Sequence, residues 1–250
     1  MDVALAAFVL APALALGSFL NVVAARVPER RSLARPRSAC AGCGGEIAWY
    51  DNIPLVSYLV LRGRCRACGE RIALRYLAVE VATGLLVAGS FLHFGLSARA
   101  FVAAFFVSIL VVLSAIDFEH RILPDVIVLP ATAIVLAAQV GLFPDRAVEW
   151  VAAALGASLF LFLALLAYPR GMGMGDVKLA LLLGAALGKT VVVGLMVGML
   201  AALVPGVILI ARHGAAGRKV AIPFGPFLAF GAVVALFWGD RLLSAYLSSF

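Results

Sequence analysis

Apolar residues fall along this chain in long unbroken runs. They show neither the alternation of a half-buried strand nor the narrow stripe of a water-facing helix. The runs at 3–25, 78–96, 99–117, 123–142, 147–168, 190–211 and 222–238 approach or exceed the roughly 20 residues a helix needs to cross a bilayer core. An eighth run, 177–188, would rise only about 18 Å as a helix. It is read as a short or tilted helix turning near Gly188-Lys189. The only long polar segment, 26–75, separates the first two runs. The pattern predicts an all-α membrane protein, a polytopic bundle of about eight transmembrane helices. A first transmembrane anchor covers 1–25, a small loop domain 26–77, and a transmembrane core 78–250.

Composition agrees with the pattern. Of the 250 residues, 64% are hydrophobic and 13% charged, more apolar surface than a soluble domain of this size can hide. The formal net charge of +7 could indicate a nucleic-acid binder, but its distribution points elsewhere. Ten arginines (26, 30, 31, 35, 37, 62, 64, 66, 71 and 75) face four acids (Glu29, Glu46, Asp51 and Glu70) within the polar segment. The positive-inside rule places that segment in the cytoplasm and the N-terminus outside. Alternating spans then put Asp117 and Asp176 on the cytoplasmic side with His120, Arg121, Arg170 and Lys178. The basic stretch of Arg212, His213, Arg218 and Lys219 falls there too, and the C-terminus outside. No nucleic-acid reading motif is present. Met1-Asp2 gives no positive n-region, so the first run is read as a retained anchor despite Ala13-Leu14-Ala15.

Two groups of residues carry candidate chemistry. Cys40-Ala-Gly-Cys43 and Cys65-Arg-Ala-Cys68 are paired knuckles, each followed by a glycine (Gly44, Gly69) that eases a tight turn. Four thiolates suit a closed, tetrahedral, structural zinc site. Disulfides do not suit a reducing compartment, and a redox dithiol is the other reading of such pairs. The second group is acidic. Asp117 ends an apolar run, and Asp176 follows glycines 171, 173 and 175, which predict a pliable loop with Gly173 and Gly175 as hinge and positioning residues. A carboxylate inside a span costs about 2.5–3.5 kcal/mol. Two such acids on one membrane face, if close, share a proton, as in aspartic proteases. Asp125 follows Pro124 and reads equally as a helix cap. A proton-coupled transporter using Asp117 and Asp176, or an inactive zinc-bearing scaffold, are the competing readings.

The chain resembles the prepilin peptidases, in their long form, across nearly its whole length. The matching residues are Gly17-Ser18-Phe19-Leu20-Asn21 with Arg26 and Pro28, the paired knuckles, and Asp51-Asn52-Ile53-Pro54. Arg75-Tyr76 with Glu80, Asp117 with Leu123-Pro124-Asp125, Gly173-Met174-Gly175-Asp176, and Pro223-Phe224-Gly225-Pro226-Phe227 follow in order. The resemblance implies a multi-pass enzyme of the bacterial inner membrane. It would cut leaders from prepilins and pseudopilins at the cytoplasmic face, with Asp117 and Asp176 as catalytic residues. It also implies methylation of the new N-terminus from S-adenosylmethionine, for which no glycine motif marks a pocket. Glu119 departs from the family pattern, which often has aspartate there.

Overall fold

The computed structural model of the chain describes residues 2–40, 42–169, 171–214 and 222–249. Arg170, Arg218 and Lys219, which the sequence places on the cytoplasmic side, lie outside these residues. Nine α-helices are described: α1 (Asp2–Arg26), the single-turn α2 (Val56–Val60), α3 (Leu74–Phe94), α4 (Ala98–His120), α5 (Asp125–Leu142), α6 (Ala147–Ala167), α7 (Met174–Leu187), α8 (Val191–His213) and α9 (Gly225–Leu247). Among the described residues, seven segments are long and apolar enough to cross a membrane. One of them, Met174–Arg212, is two helices, because Gly188 adopts φ +57° and ends α7. The seven expected long helices and the expected short one, α7 with 14 residues, are therefore present, with the expected turn at Gly188-Lys189. A bilayer offers no water to backbone amides, so long apolar segments close their hydrogen bonds internally as helices.

The chain forms two compact units, 1–116 and 117–250. In the first, α3 packs along α1, although the sequence groups it with the later spans. Gly17 makes the approach possible: a Cβ there would sit 2.7 Å from the Glu80 Cα. Asn21 Nδ2 donates to the Tyr76 carbonyl at 2.9 Å across the same pair. Phe91 of α3 meets Phe101 of α4 edge to face, with ring centroids 5.1 Å apart.

The second unit is built around α7, the element least legible as a span. Ten of its 14 residues are buried, and α5 and α6 pack against it. At Gly184 an added Cβ would collide with the Ala153 carbonyl of α6. The Ser158 hydroxyl of α6 donates to the Val177 carbonyl at 3.1 Å, and Gln139 Nε2 of α5 donates to the Ala186 carbonyl at 3.0 Å. Helices α8 and α9 pair through glycines. Gly198 lies one turn from Gly194 and faces the Phe227–Leu228 backbone, while Gly231 abuts the Gly194 carbonyl, a small-residue seam typical of membrane helices. Gly156 of α6, by contrast, faces open space.

Replacing Gly231 by alanine forces α8 and α9 apart, at a cost of about 1–3 kcal/mol. Gly206, with nothing within 4 Å of an added Cβ, is the control, and alanine there is neutral or favourable. Thermal unfolding of the two variants in detergent separates them. Equal midpoints would show that the α8–α9 seam is not a tight contact.

Candidate active site and metal centre

In the first unit the polar segment folds as two equivalent knuckles. Cys40 N–H donates to the Gly45 carbonyl at 2.9 Å and Gly44 N–H to the Cys40 carbonyl at 2.9 Å. The second knuckle repeats this, with Cys65 N–H to the Glu70 carbonyl at 2.8 Å and Gly69 N–H to the Cys65 carbonyl at 3.0 Å. Gly44 and Gly69 take φ values of +70° and +73°, a region L-residues disfavour. Each knuckle stands on a single antiparallel bridge, Ala39 with Glu46 and Arg64 with Arg71.

The four cysteines expected to act together do meet: their sulfurs all lie within 4.8 Å of one another. Cys40 and Cys68 sulfurs are 3.7 Å apart. A tetrahedral metal–thiolate centre with bonds of about 2.3 Å has corners about 3.8 Å apart, so the donor set fits such an ion. The Cys43 and Gly42 amides and the Cys65 thiol draw the Cys40 thiol down to about 7. At Cys68 the Glu70 amide pulls in the same direction, but desolvation and the neighbouring sulfurs push the thiol up to about 12. Four thiolates cannot all be charged without a cation among them. The cluster is able to hold a metal ion.

Around the knuckles the segment is tied by polar contacts. Arg26, at the end of α1, donates to the carbonyls of Ser32, Leu33 and Pro36 at 2.9, 3.2 and 2.6 Å. Arg66 clasps Asp51, with Nε 2.8 Å from Oδ2 and a terminal nitrogen 2.7 Å from Oδ1. The Arg66 hydrogen bonds and charge hold the Asp51 carboxyl below the usual range. A depressed acid contributes stability above its unfolded pKa and loses it as pH falls through the lowered value, so this pair persists at neutral pH.

In the second unit the two expected aspartates are both buried, Asp117 at 6% and Asp176 at 8% exposure. Asp117 lies in the last turn of α4, which continues past it to His120. Its Oδ2 accepts the N–H of Gly225, the first residue of α9, at 2.9 Å. Asp176 is the third residue of α7, and its Oδ2 accepts the Gly173 N–H at 2.9 Å. Each acid is thus fixed through one oxygen to a glycine amide at a helix N-terminus, where backbone donors lack helical partners. Leu123 is a common neighbour of Gly175 and Gly225: a Cβ on Gly175 would lie 3.1 Å from Leu123 Cβ, and one on Gly225 would lie 3.4 Å from Leu123 Cδ2.

The expected loop through glycines 171, 173 and 175 is shorter than the sequence suggests, because α7 already begins at Met174. Gly173 is the N-cap, and Gly175 sits in the first turn under Leu123. Their compact geometry follows from the capping bond of Asp176. Gly225, Leu123 and the partner of Asp125 went unassigned in the sequence. Asp125 opens α5, and Lys178 Nζ reaches both of its oxygens at 2.7 Å, which joins the starts of α5 and α7. Glu119 is exposed. The one available signal for Gly225 was its proline-flanked start, Pro223-Phe-Gly-Pro226, a helix-opening pattern.

Comparison with known proteins agrees with this architecture. Residues 12–94 match the Bacterial Peptidase A24 N-terminal domain, and residues 104–247 match the Type IV leader peptidase family. The chain is 37% identical over 264 residues to the prepilin leader peptidase/N-methyltransferase of Pseudomonas aeruginosa, covering 94% of this chain and 90% of that one. Its counterpart of the same name in Bacillus subtilis is 33% identical over 244 residues, with 94% of both chains covered. That of Pseudomonas putida is 36% identical over 267 residues, with 93% and 90% covered. No solved structure matches significantly. The chain belongs to the type IV leader peptidase family.

Stripping metal with a strong chelator should open the polar segment around Cys40–Cys68 to proteolysis and leave the helices of the second unit intact. Peptide mapping of the fragments checks this. An unchanged cleavage pattern after complete metal removal would mean that the ion does not hold the fold.

Proposed function

We propose that this type IV leader peptidase is a membrane aspartic endopeptidase that removes the leader from type IV prepilins and pseudopilins and N-methylates the residue it exposes. The relatives' names support the substrate class and both activities. The observation that carries the catalytic assignment is the burial of Asp117 and Asp176, each anchored through Oδ2 to a glycine amide. One oxygen of each acid is thereby oriented, and the other is available for the reaction.

In this reading one aspartate is ionised and one protonated. The ionised carboxylate takes a proton from water as the water oxygen adds to the scissile carbonyl. The protonated acid gives its proton to the carbonyl oxygen, so a neutral gem-diol forms. Collapse of the gem-diol breaks the C–N bond. The amine leaves with the proton held by the first acid, and a diol proton returns to the second, which restores both. The burial of both acids excludes bulk water, so the proton stays between them. Lys178, engaged by Asp125, positions α7 and takes no part in proton transfer.

The metal of the four-cysteine cluster is assigned as zinc with a structural role, because four thiolates leave no open position. S-adenosylmethionine is the methyl donor in this reading. The described residues contain no dinucleotide-binding strand–turn–helix cradle, and no residue is assigned to that donor. The enzyme sits in the bacterial inner membrane with its acids at the cytoplasmic face and both termini outside, a topology supported by the arginine excess in 26–75. The transporter reading is less well supported, since these acids sit at helix ends, Asp117 in the last turn of α4 and Asp176 in the first turn of α7, and no paired halves are visible in the sequence.

The deciding experiment is cleavage of a prepilin by purified protein in detergent. Asp117→Asn and Asp176→Asn should each abolish cleavage while zinc stays at about one per chain. Asp125→Asn and Glu119→Gln should retain much more activity. Near wild-type processing by either active-site variant would refute the aspartic mechanism. The pH–rate profile should be bell-shaped, with limits belonging to the pair. Gly225→Ala tests the anchor, since its Cβ would meet Asp117 Oδ2 at 2.9 Å. A displacement of about an ångström should slow cleavage about 10²-fold.

Topology is checked separately with reporter fusions at Arg35, Arg146, Gly214 and the C-terminus. Activity patterns of inside, outside, inside and outside are expected. A cytoplasmic C-terminus would mean that α7 and α8 together cross once.

A further inference from the structure

Between the knuckles and α3 the polar segment carries apolar side chains that nothing covers. On α2, Val56, Leu59 and Val60 are 53%, 64% and 68% exposed. Tyr58, between them, turns inward onto Gly63. So α2 has a satisfied face and an apolar outer face, at the side of a membrane helix. Its depth is fixed by one hydrogen bond, from Leu55 N–H to Glu80 Oε2 at 3.0 Å. Glu80 lies six residues beyond Leu74, the start of α3, which is about 9 Å along the helix axis. The start of α2 therefore runs beside the second turn of α3 and does not project beyond its end. An amphipathic segment lying in a membrane surface buries its apolar face by a similar depth, about 5–10 Å.

A second observation concerns charge. Arg62 follows α2 directly, and Arg64 and Arg71 face each other across an antiparallel bridge. All three are exposed. Like charges set directly opposite are destabilising, unless an anion lies between them. Of the five arginines in residues 56–75, Arg66 is clasped to Asp51 and Arg75 contacts Tyr76, which leaves Arg62, Arg64 and Arg71 beside the single acid Glu70. An apolar face next to an uncompensated arginine cluster, at the mouth of a membrane helix, matches one partner: a leaflet with anionic headgroups over an acyl interior.

We propose that α2 with Arg62, Arg64 and Arg71 is an interfacial membrane-binding element. Val56, Leu59 and Val60 enter the acyl boundary, and the three arginines bind the phosphates of anionic phospholipids. This holds the metal-bearing loop against the bilayer. It rests on the membrane placement of α3 and is independent of the catalytic assignment. A prepilin is the other ligand such a face could take, and the test below separates the two.

The test uses the full, metal-loaded chain in nanodiscs of phosphatidylcholine alone or mixed with phosphatidylglycerol, followed by amide hydrogen exchange over residues 55–72. Exchange is expected to slow about tenfold or more in the anionic discs. That gain should vanish at high salt and in the triple variant R62Q/R64Q/R71Q. Val60→Asp should raise exchange in both disc types. Retained protection at residues 40–46 shows that each variant still folds. Soluble glycerol phosphate should have no effect on protein in neutral discs. Equal exchange in the two disc types, or protection by glycerol phosphate alone, overturns the proposal. So does protection that appears only when a prepilin is added, which would make the face a substrate dock.

Discussion

The second unit depends on one constraint: a buried carboxylate needs a hydrogen-bond donor that no helix interior can give. Within an α-helix every amide is already bonded to the carbonyl four residues before it. Only the first turn has spare donors, and a helix N-terminus favours negative charge there by about 0.3–1 kcal/mol, up to about 2 when partly buried. An acid within a span costs about 2.5–3.5 kcal/mol, so this donor offsets a good part of the cost. Asp117 finds it at the start of α9 and Asp176 at the start of its own helix, α7. Both donors are glycines; Gly225 lies against Leu123, as does Gly175 in the first turn of α7. Two helices must therefore begin inside the protein where the acids lie.

That requirement accounts for the shape of α7. At 14 residues it rises about 21 Å. Its ends cannot be left bare in apolar surroundings, and each is satisfied by protein. Asp176 caps the start, the Gly188 amide returns to the Gly184 carbonyl, and Gln139 supplies a donor to the Ala186 carbonyl. Burial on so many sides in turn demands close neighbours, since lipid gives helices no hydrophobic reason to associate. Gly184 against the Ala153 backbone meets that demand, as Gly194, Gly198 and Gly231 do for α8 and α9.

What could be read in the sequence follows from the same physics. The long helices were legible because lipid leaves an apolar segment no other way to satisfy its backbone. The four cysteines were legible because spacing within a knuckle is local, and each knuckle closes through its own glycine turn. The break at Gly188 was legible because glycine marks it. By contrast, the central position of α7 could not be seen, since an element apolar all round has no preferred face to read. Gly225 could not be assigned to Asp117 because the two are 108 residues apart. Nor could Lys178 be matched to Asp125, for the partner of an ion pair across helices depends on packing that composition does not encode. The glycines before Asp176 looked like a hinge because a glycine-rich run favours flexibility locally. A capping bond made within the same turn restrains them.

The four-cysteine loop follows the opposite logic. It has too few apolar residues for a core of its own, so thiolates, the Arg66–Asp51 clasp and the carbonyls gathered by Arg26 set its shape. A segment held by ligands and ion pairs does not need its apolar side chains inside. Of those on α2 and its flanks, Tyr58 packs on Gly63, while Ile53, Val56, Leu59 and Val60 stay exposed. In water such a face would be a liability. Beside the second turn of α3, where Glu80 holds the Leu55 amide, it meets the one medium in which exposed valine and leucine cost nothing. The same carboxylate that fixes the loop to the helix pair thus fixes the depth at which its apolar face lies.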